Sequence, residues 1–199
     1  LSAEDDTVSV VYEGVTYKNE RQKIQISVEK KDSVSKEALE GVVFGLYAGE
    51  DIKNMQGKVV VEKDTLLETK ATDPEGKLTF DSDLWHGHYY VKEEQHLPGY
   101  LPNDEIWEID ATYEDQNLPA IFLEKEVENQ PTESYFTKKD IVTGEPVEGA
   151  KLQILDEEGT VVREWITTKQ EHLEYALPKG NYILHEELPP LEDGYVSAE

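Results

Sequence analysis

GHYYVKEEQHLPGY, residues 87–100, carries the pattern that decides the fold of this chain. Successive side chains of a β-strand point to opposite faces, so Tyr89, Val91 and Glu93 share one face. Two apolar side chains therefore lead to a carboxyl group on the face that a sheet normally buries. This stretch predicts a strand whose inner face ends in an acid.

The phrase occurs twice, because GNYILHE at residues 180–186 leads to Glu186 with the same spacing. The phrase KKD is also duplicated, at residues 30–32 and 138–140, and a Gly-led strand follows each copy. The KKD phrases lie 108 positions apart, whereas the two glutamates lie 93 positions apart. The first copy therefore carries about 15 extra residues, which we place within residues 49–70 as an enlarged loop or an extra hairpin.

Short alternating runs separated by Gly, Pro, Asp and Asn dominate the chain, and helical periodicity is almost absent. Strands at this spacing, with turn signals between them, predict an all-β fold of β-sandwiches. The predicted strands are 23–30, 42–48, 77–80, 89–93, 106–110, 120–129, 134–139, 150–155, 161–168 and 181–186.

The repeat divides the chain into three predicted parts. Residues 1–22 resemble the last strand of a preceding repeat, and residues 23–131 form a complete domain. Residues 132–199 form a second domain, which we expect to lack its last strands because nothing in it corresponds to residues 106–129.

The composition excludes several classes of function. The chain has 199 residues, with 19 Lys plus Arg against 44 Asp plus Glu, and a net charge of -25. Such a surface repels phosphate backbones and anionic headgroups, so we expect no nucleic-acid partner and no membrane insertion. The absence of cysteine excludes disulfides, zinc–thiolate sites and cysteine nucleophiles. There is no phosphate-binding Gly-rich loop and no HExxH pair.

Three polar residues lie at the inward-facing ends of apolar strands. Strand parity places Lys30 after Val28, Glu93 after Val91 and Asn129 after Val127. One interpretation is a core-edge ion pair, or strand ends that already reach solvent. The other is chemical: a desolvated lysine loses its proton and becomes a nucleophile, and a desolvated carboxylic acid stays neutral and donates to an amide carbonyl. An asparagine beside both would lose ammonia and form a Lys–Asn isopeptide bond.

The order of these phrases resembles the collagen-adhesin B-type (Cna-B) domain of Gram-positive surface adhesins and pilins. The resemblance rests on K-x-D, a Gly-led strand, G-x-Y-x-[LV]-x-E, Pro with Gly-Tyr, and a terminal Asn, in tandem over nearly the whole chain. It implies Greek-key β-sandwiches of the immunoglobulin or prealbumin kind and an autocatalytic bond between the first and last strands. Lys30 would be the nucleophile, Asn129 the acyl partner and Glu93 the proton shuttle. The family's Thr after the acid is Glu94 or Glu187 here, which puts turn geometry in doubt more than chemistry.

The resemblance gives the second domain only part of this site. Lys138 and Glu186 match the lysine and the acid, but no Asn follows them. Asn19 matches the acyl position of a preceding repeat, so Lys138 and Asn19 are unpaired equivalents. Strand exchange between segment 7–19 and the second domain of a neighbouring chain is a further partner that this arrangement allows.

The implied function is a structural stalk segment of a cell-surface adhesin or pilin, extracellular and anchored to the cell wall. Its partners would be adjacent repeats of the same protein and, through the parent protein, a host surface ligand. No cofactor is needed, and a single reaction on the protein itself is not enzyme turnover. The alternative is an adhesin module that itself binds host matrix or glycan, through residues 49–70.

Several other interpretations have weaker support. Lys31 is a neighbouring candidate nucleophile that parity points outward, and Asn117 is an alternative acyl partner in a predicted loop. A glycosidase needs two carboxyl groups across a cleft, which small sandwiches rarely enclose. Hard oxygen donors that could bind calcium occur at Asp81, Asp83 and 103–105. A His-x-His pair that could bind a metal lies in a predicted turn, at His86 and His88. A platform for stacking sugars could be formed by Trp85, Trp107 and Trp165.

Overall fold

Fourteen β-strands make up the described part of the chain, and no helix occurs in it. The computed structural model describes residues 23–54, 56–112, 120–188 and 194. The predicted strand at 7–19 with Asn19, and the alternative acceptor Asn117, lie outside these residues. No helix among the described residues is long and apolar enough to span a membrane. The predicted all-β class is confirmed.

Strands β1 to β9 form a first sandwich of two sheets and one extra hairpin. A three-stranded sheet has the order β6-β1-β9, and a four-stranded sheet has the order β5-β2-β7-β8, which makes seven strands in the two layers. The bounds are β1 Lys23–Asp32, β2 Val43–Ala48, β3 Ile52–Lys53, β4 Val59–Val61, β5 Leu66–Ala71, β6 Lys77–Thr79, β7 Gly87–Gln95, β8 Ile106–Ala111 and β9 Ala120–Asn129.

The first and last strands of this sandwich run parallel for ten residues. Lys23 pairs with Ala120 at one end and Asp32 with Asn129 at the other. Alternate residues of β1 are buried throughout its length: the apolar Ile24, Ile26 and Val28, and then the polar Lys30 and Asp32. The register therefore brings the inward-facing ends of β1 and β9 to the same pole of the sandwich.

The core lies between the two sheets and explains the alternation seen in the sequence. Its fully buried members include Ile26 from β1, Phe44 and Leu46 from β2, and Tyr89 from β7. Tyr89 is buried completely because its hydroxyl donates to the carbonyl of Trp85 at 2.6 Å, so no polar atom is left without a partner.

The extra residues of the first copy are only partly an insertion. Strands β3 and β4 pair as a hairpin. Of the two predicted alternatives, an enlarged loop or an extra hairpin, the structure therefore shows the hairpin. The end of the 49–70 stretch is not part of this hairpin, because Leu66–Ala71 is β5 and pairs antiparallel with β2. Its alternation is weak in the sequence because β5 is an edge strand, with Leu67 packing against the core and Lys70 bound to Asp81.

Strands β10 to β14 form a second sandwich. β10 pairs with β13, and the other sheet has the order β12-β11-β14. β13 was not among the predicted strands, since four residues, HLEY, give too short a run for a periodic signal. The bounds are β10 Glu133–Phe136, β11 Lys151–Leu155, β12 Val161–Ile166, β13 His172–Tyr175 and β14 Ile183–Leu188.

A close backbone contact joins the two sandwiches. The amide of Thr132 donates to the carbonyl of Gly99 at 2.8 Å, and the amide of Ala176 donates to the carbonyl of Thr132 at 2.9 Å. Gly99 has a φ of +89°, and a Cβ added there would lie 2.4 Å from the carbonyl oxygen of Ala176. Glycine is required at this turn both for its backbone conformation and for the approach of the second sandwich.

We expect Gly99→Ala to open this junction, because the new Cβ would overlap the backbone of Ala176. Amide hydrogen exchange at Thr132 and Ala176 should become faster. Gly57→Ala is the matched control, since Gly57 also has a positive φ, of +77°, but a Cβ there meets nothing within 4 Å. Equal protection of the two amides in both variants would contradict the assigned role of Gly99.

Candidate functional site

Lys30 lies completely buried at the end of β1, and its backbone is held on both sides. Its amide donates to the carbonyl of Gly76 at 2.7 Å, and its carbonyl accepts from the amide of Leu39 at 3.0 Å. Gly76 has a φ of +74°, and a Cβ there would lie 2.5 Å from the Lys30 carbonyl oxygen. The turn that fixes the Lys30 backbone therefore needs glycine.

Lys30, Glu93 and Asn129, the three residues predicted from strand parity, meet at one point between the sheets. Lys30 Nζ donates to Asn129 Oδ1 at 2.6 Å and lies 3.1 Å from Glu93 Oε2. Asn129 Nδ2 donates to Glu93 Oε1 at 3.0 Å. The Lys30 and Glu93 side chains are 0% and 3% exposed, so water has almost no access to the cluster.

Burial changes the protonation of the lysine. Desolvation lowers the pKa of Lys30, and the nearby Glu93 carboxyl opposes this shift without cancelling it. The Nζ also lies 5.6 Å from the centre of the Phe44 ring. This ring is an apolar neighbour of the lysine, and its face weakly attracts a cation. A lysine whose pKa is lowered has a larger fraction of neutral amine, which is the nucleophilic form.

The Glu93 carboxyl contacts both other side chains of the cluster, one with each oxygen. Oε1 accepts from the asparagine amide nitrogen, and Oε2 faces the lysine nitrogen. Oε2 lies within ion-pair distance of Nζ, at 3.1 Å. One buried carboxyl group therefore contacts both Lys30 and Asn129.

The asparagine backbone is fixed by the turn that follows β1. The amide of Ser33 donates to the Asn129 carbonyl at 3.0 Å. Asp32 builds this turn, because its Oδ1 accepts from the amides of Val34 and Ser35 at 2.7 and 2.8 Å. Tyr100, from the Pro-Gly-Tyr phrase, donates its hydroxyl to Asp32 Oδ2 at 2.8 Å.

Lys31, the neighbouring candidate nucleophile, points away from the cluster as parity predicts. Its Nζ forms ion pairs with Glu126 at 2.5 Å and Glu29 at 3.3 Å on the outer surface. Hydrogen bonds to these carboxylates, led by Glu126, outweigh desolvation and raise the pKa of Lys31. Lys31 is therefore paired with carboxylates on the outer surface, away from the cluster.

The second sandwich brings together the two predicted residues that it contains. Lys138 Nζ donates to Glu186 Oε2 at 2.9 Å. Asp140 repeats the turn of Asp32, since its Oδ1 accepts from the amides of Val142 and Thr143 at 2.8 and 2.7 Å. Asn19, which was predicted to be the acyl residue of a preceding repeat, lies outside the described residues.

Sequence reasoning missed the residues that support the cluster. Phe44 is an ordinary core residue by its pattern, and nothing in the sequence places it beneath Lys30. Asp32 and Tyr100 were visible as parts of the K-x-D and Gly-Tyr phrases, but their contact joins positions 68 residues apart. The Asp in each K-x-D phrase was the available signal, because an Asp at that position can cap the turn that follows.

The weaker candidates lie in other surroundings. His88 is in strand β7 rather than in a turn, and its ring nitrogens contact Glu108 at 2.6 Å and Asp110 at 3.0 Å. These two carboxylates, led by Asp110, raise the pKa of His88. Trp85 is half-exposed, whereas Trp107 packs against the core. No group of three or more His, Cys, Asp or Glu within the described ranges is arranged to hold a metal ion.

The first sandwich has parallel first and last strands whose inward-facing ends meet at the buried Lys30–Glu93–Asn129 cluster. The family model described as "SpaA: Prealbumin-like fold domain" matches residues 24–124 and 133–199, which together exceed half of the chain. The chain belongs to this family. The predicted tandem sandwiches of the immunoglobulin or prealbumin kind are thereby confirmed. Among curated proteins, no sequence matches the chain.

Solved structures of two pilus proteins and of a Bacillus anthracis protein are similar to this chain. The Bacillus anthracis TIE protein is 25% identical over 89% of this chain, with a TM-score of 0.53. The group B streptococcus pilus 2b backbone protein is 23% identical over 56%, with a TM-score of 0.40. The full-length major pilin SpaD from Corynebacterium diphtheriae is 16% identical over 71%, with a TM-score of 0.45. The chain spans 30% of the first structure and 42% of each of the others.

We expect Tyr100→Phe to destabilise the first sandwich near neutral pH by about 1.5–3 kcal/mol, because a buried carboxylate loses a charge-assisted donor. Burial alone would raise the pKa of Asp32, but the Ser35 and Val34 amides and the Tyr100 hydroxyl outweigh it and lower that pKa. The stabilisation is therefore complete above the ordinary carboxyl pKa and is lost as pH falls through the lowered value. Denaturant unfolding as a function of pH measures this.

Tyr135→Phe is the control for this substitution. Tyr135 also donates to a carboxylate, Glu133 at 2.5 Å, but on the exposed surface. Its loss should change the free energy of unfolding by no more than about 0.5 kcal/mol. Equal changes in the free energy of unfolding for the two substitutions would show that burial of Asp32 does not strengthen its hydrogen bond with Tyr100.

Proposed function

We propose that the chain is a structural stalk segment of a cell-surface adhesin or pilin, and that Lys30 and Asn129 form an autocatalytic isopeptide bond. One observation carries the chemical part: a single buried carboxyl group, Glu93, contacts the nitrogen that would attack and the nitrogen that would leave. A simple ion pair has no need of a third group that binds both partners.

The reaction follows from the distances. The neutral Lys30 amine attacks the Asn129 side-chain carbon, and its surplus proton passes to Glu93 Oε2. Oε1 of the same carboxyl lies 3.0 Å from Asn129 Nδ2 and supplies the proton that this nitrogen needs to leave. The carbon–nitrogen bond of the amide breaks and ammonia departs. The new amide joins Nζ to the asparagine carbon, and Glu93 ends as it began.

The position of the bond suits a protein that carries tension. The chain enters the first sandwich at Lys23 and leaves it after Asn129, at opposite ends of two parallel strands. A bond between Lys30 and Asn129 would pass force directly from β1 to the exit, so that residues 31–128 bear no load. It would also close a loop of 99 positions, which contributes about 4–5 kcal/mol in the chain-entropy model.

The biological setting follows from the family. Membership of a prealbumin-like family with structural neighbours among pilins supports an extracellular location, with adjacent repeats of the same protein as partners. We propose cell-wall anchoring on the same ground. The reaction consumes its own lysine and asparagine once, so the protein is not a turnover enzyme and needs no cofactor. The domain limits 23–131 and 132–199, with 1–22 from a preceding repeat, are part of this proposal.

The native chain should weigh one ammonia less than its sequence by intact mass spectrometry under denaturing conditions. Lys30→Ala, Asn129→Ala and Glu93→Gln should each restore the full mass, because each removes one of the three groups that the reaction needs. Lys31→Ala is the control and should keep the ammonia loss. A full unmodified mass of the native chain would contradict the proposed bond.

Thermal unfolding of the same variants provides a second measurement. Losing the cross-link should lower the melting temperature of the first sandwich by on the order of 20 °C. Glu93→Gln is the most informative variant, because it keeps the shape of the side chain and removes only its acid. A Glu93→Gln protein that regains full mass but has the same melting temperature as the native chain would contradict the mechanical role of the bond.

A surface cavity favours the alternative function, an adhesin module. The hairpin β3–β4 and the exposed Trp85 line an apolar cavity of about 220 Å³ beside Leu84 and Tyr89. If this cavity binds a host ligand, deletion of the hairpin 52–61 should abolish adhesion to host matrix and leave the ammonia loss unchanged. Unchanged adhesion in a cell-binding assay would leave the hairpin without a binding role.

A further inference from the structure

Asn103, one of the oxygen donors that the sequence offered for calcium, binds protein backbone with both polar atoms of its side chain. Its Oδ1 accepts from the amide of Glu105 at 2.8 Å, which fixes the orientation of the side-chain amide. Its Nδ2 donates to the carbonyl of Glu128 at 2.9 Å. Asn103 lies in the segment that leads into β8, so this bond ties that segment to the residue just before Asn129 on β9.

Three hydrogen bonds from other segments hold the backbone around Asn129. The carbonyl before Asn129 accepts from the Asn103 side chain, and the carbonyl of Asn129 itself accepts from the Ser33 amide at 3.0 Å. The next carbonyl, of Gln130, accepts from the Leu101 amide at 2.9 Å. Among these three donors Asn103 is the one that uses a side chain, so a substitution can remove its bond and leave the backbone amides in place.

The segment that contains Asn103 also covers a small cavity beside the acid. Glu93 forms part of the wall of this cavity, together with Asn103 and Glu105, and Glu105 accepts a hydrogen bond from Lys125 Nζ. The space open to the centre of a water-sized molecule is about 10 Å³, about what one water molecule needs, and ammonia is of similar size. Asn103 therefore lies next to the cluster and not at a remote part of the loop.

We propose that Asn103 is a positioning residue for the cross-linking reaction, which holds the Asn129 side-chain carbon in line with Lys30 Nζ. The inference rests on the proposed function, since it concerns the rate of that reaction. Asn103 acts through the backbone that carries Asn129, whose Oδ1 lies 2.6 Å from Lys30 Nζ. A nucleophile that must meet an amide carbon needs close alignment, and a displacement of about 1 Å costs about 100-fold in rate.

Asn103→Asp isolates the donor from the rest of the side chain. The variant keeps the shape and the oxygen that accepts from the Glu105 amide, but at neutral pH it turns a second carboxylate oxygen toward the Glu128 carbonyl. Two acceptors repel each other, so the peptide group before Asn129 should move. We expect cross-linking to become about 10- to 100-fold slower. Asn103→Ala, which removes donor and acceptor together, should be slowed as well.

The test follows ammonia loss in the full chain made by cell-free synthesis. Samples are quenched in denaturant at intervals and read by intact mass spectrometry, and circular dichroism of purified samples establishes that each variant is folded. Asn54→Asp is the matched control and should react at the native rate. Asn54 is also half-buried and also accepts from backbone amides, of Gln56 and Lys58 at 3.0 Å, but in the turn between β3 and β4.

A pH profile distinguishes positioning from a general loss of stability. As pH falls through the pKa of the new carboxyl group in Asn103→Asp, that group gains a proton and can donate to the Glu128 carbonyl again. The rate of Asn103→Asp divided by that of Asn103→Ala should therefore rise toward low pH, because any effect of pH on Lys30 and Glu93 is common to both variants. A ratio that stays constant with pH would overturn the assigned hydrogen bond.

The remaining outcomes separate this inference from the proposed function. Ammonia loss at the native rate in folded Asn103→Asp and Asn103→Ala would show that the positioning role is wrong, and the cross-link would stand. Slow loss in variants that are unfolded by circular dichroism would make Asn103 a residue required for folding and would also overturn the role. A native chain that never loses ammonia would contradict the proposed function itself, and the role of Asn103 with it.

Discussion

The contact between Lys30 and the pair Glu93 and Asn129 is the constraint on which the first sandwich depends. Removing an ammonium group from water is costly, and an attraction to one carboxylate rarely repays it. Here both partners must arrive from distant strands, β7 and β9, so the cluster forms only in one register of β1 against β9. The same burial lowers the pKa of Lys30, which favours the neutral amine. The proposed cross-link would leave no ionisable amine in the buried site.

The second sandwich separates the parts of this arrangement. It repeats the lysine, the acid and the Asp-capped turn, but the Lys138 side chain is 24% exposed whereas that of Lys30 is fully buried. In the first sandwich, β9 pairs with β1 beside the lysine and also carries Asn129. In the proposed reaction, the strand that supplies the asparagine would therefore also exclude the water that keeps a lysine charged.

Strand alternation predicted much of the first sandwich, including β9 at residues 120–129. Parity likewise selected Lys30 over Lys31 and placed Glu93 and Asn129 inward. Edge strands with weak alternation, β5 and β13, were missed. The support of the site was also out of reach, since Phe44, Gly76 and the contact from Tyr100 to Asp32 depend on tertiary packing between distant positions.

The central claim is that a covalent bond joins two named residues, and peptide mapping of the purified native chain tests it most directly. After complete proteolysis, tandem mass spectrometry should find one branched peptide in which the Lys30 side chain is bonded to the Asn129 side chain, and no free peptide with unmodified Asn129. Recovery of separate linear peptides containing Lys30 and Asn129, both at full mass, would contradict the account.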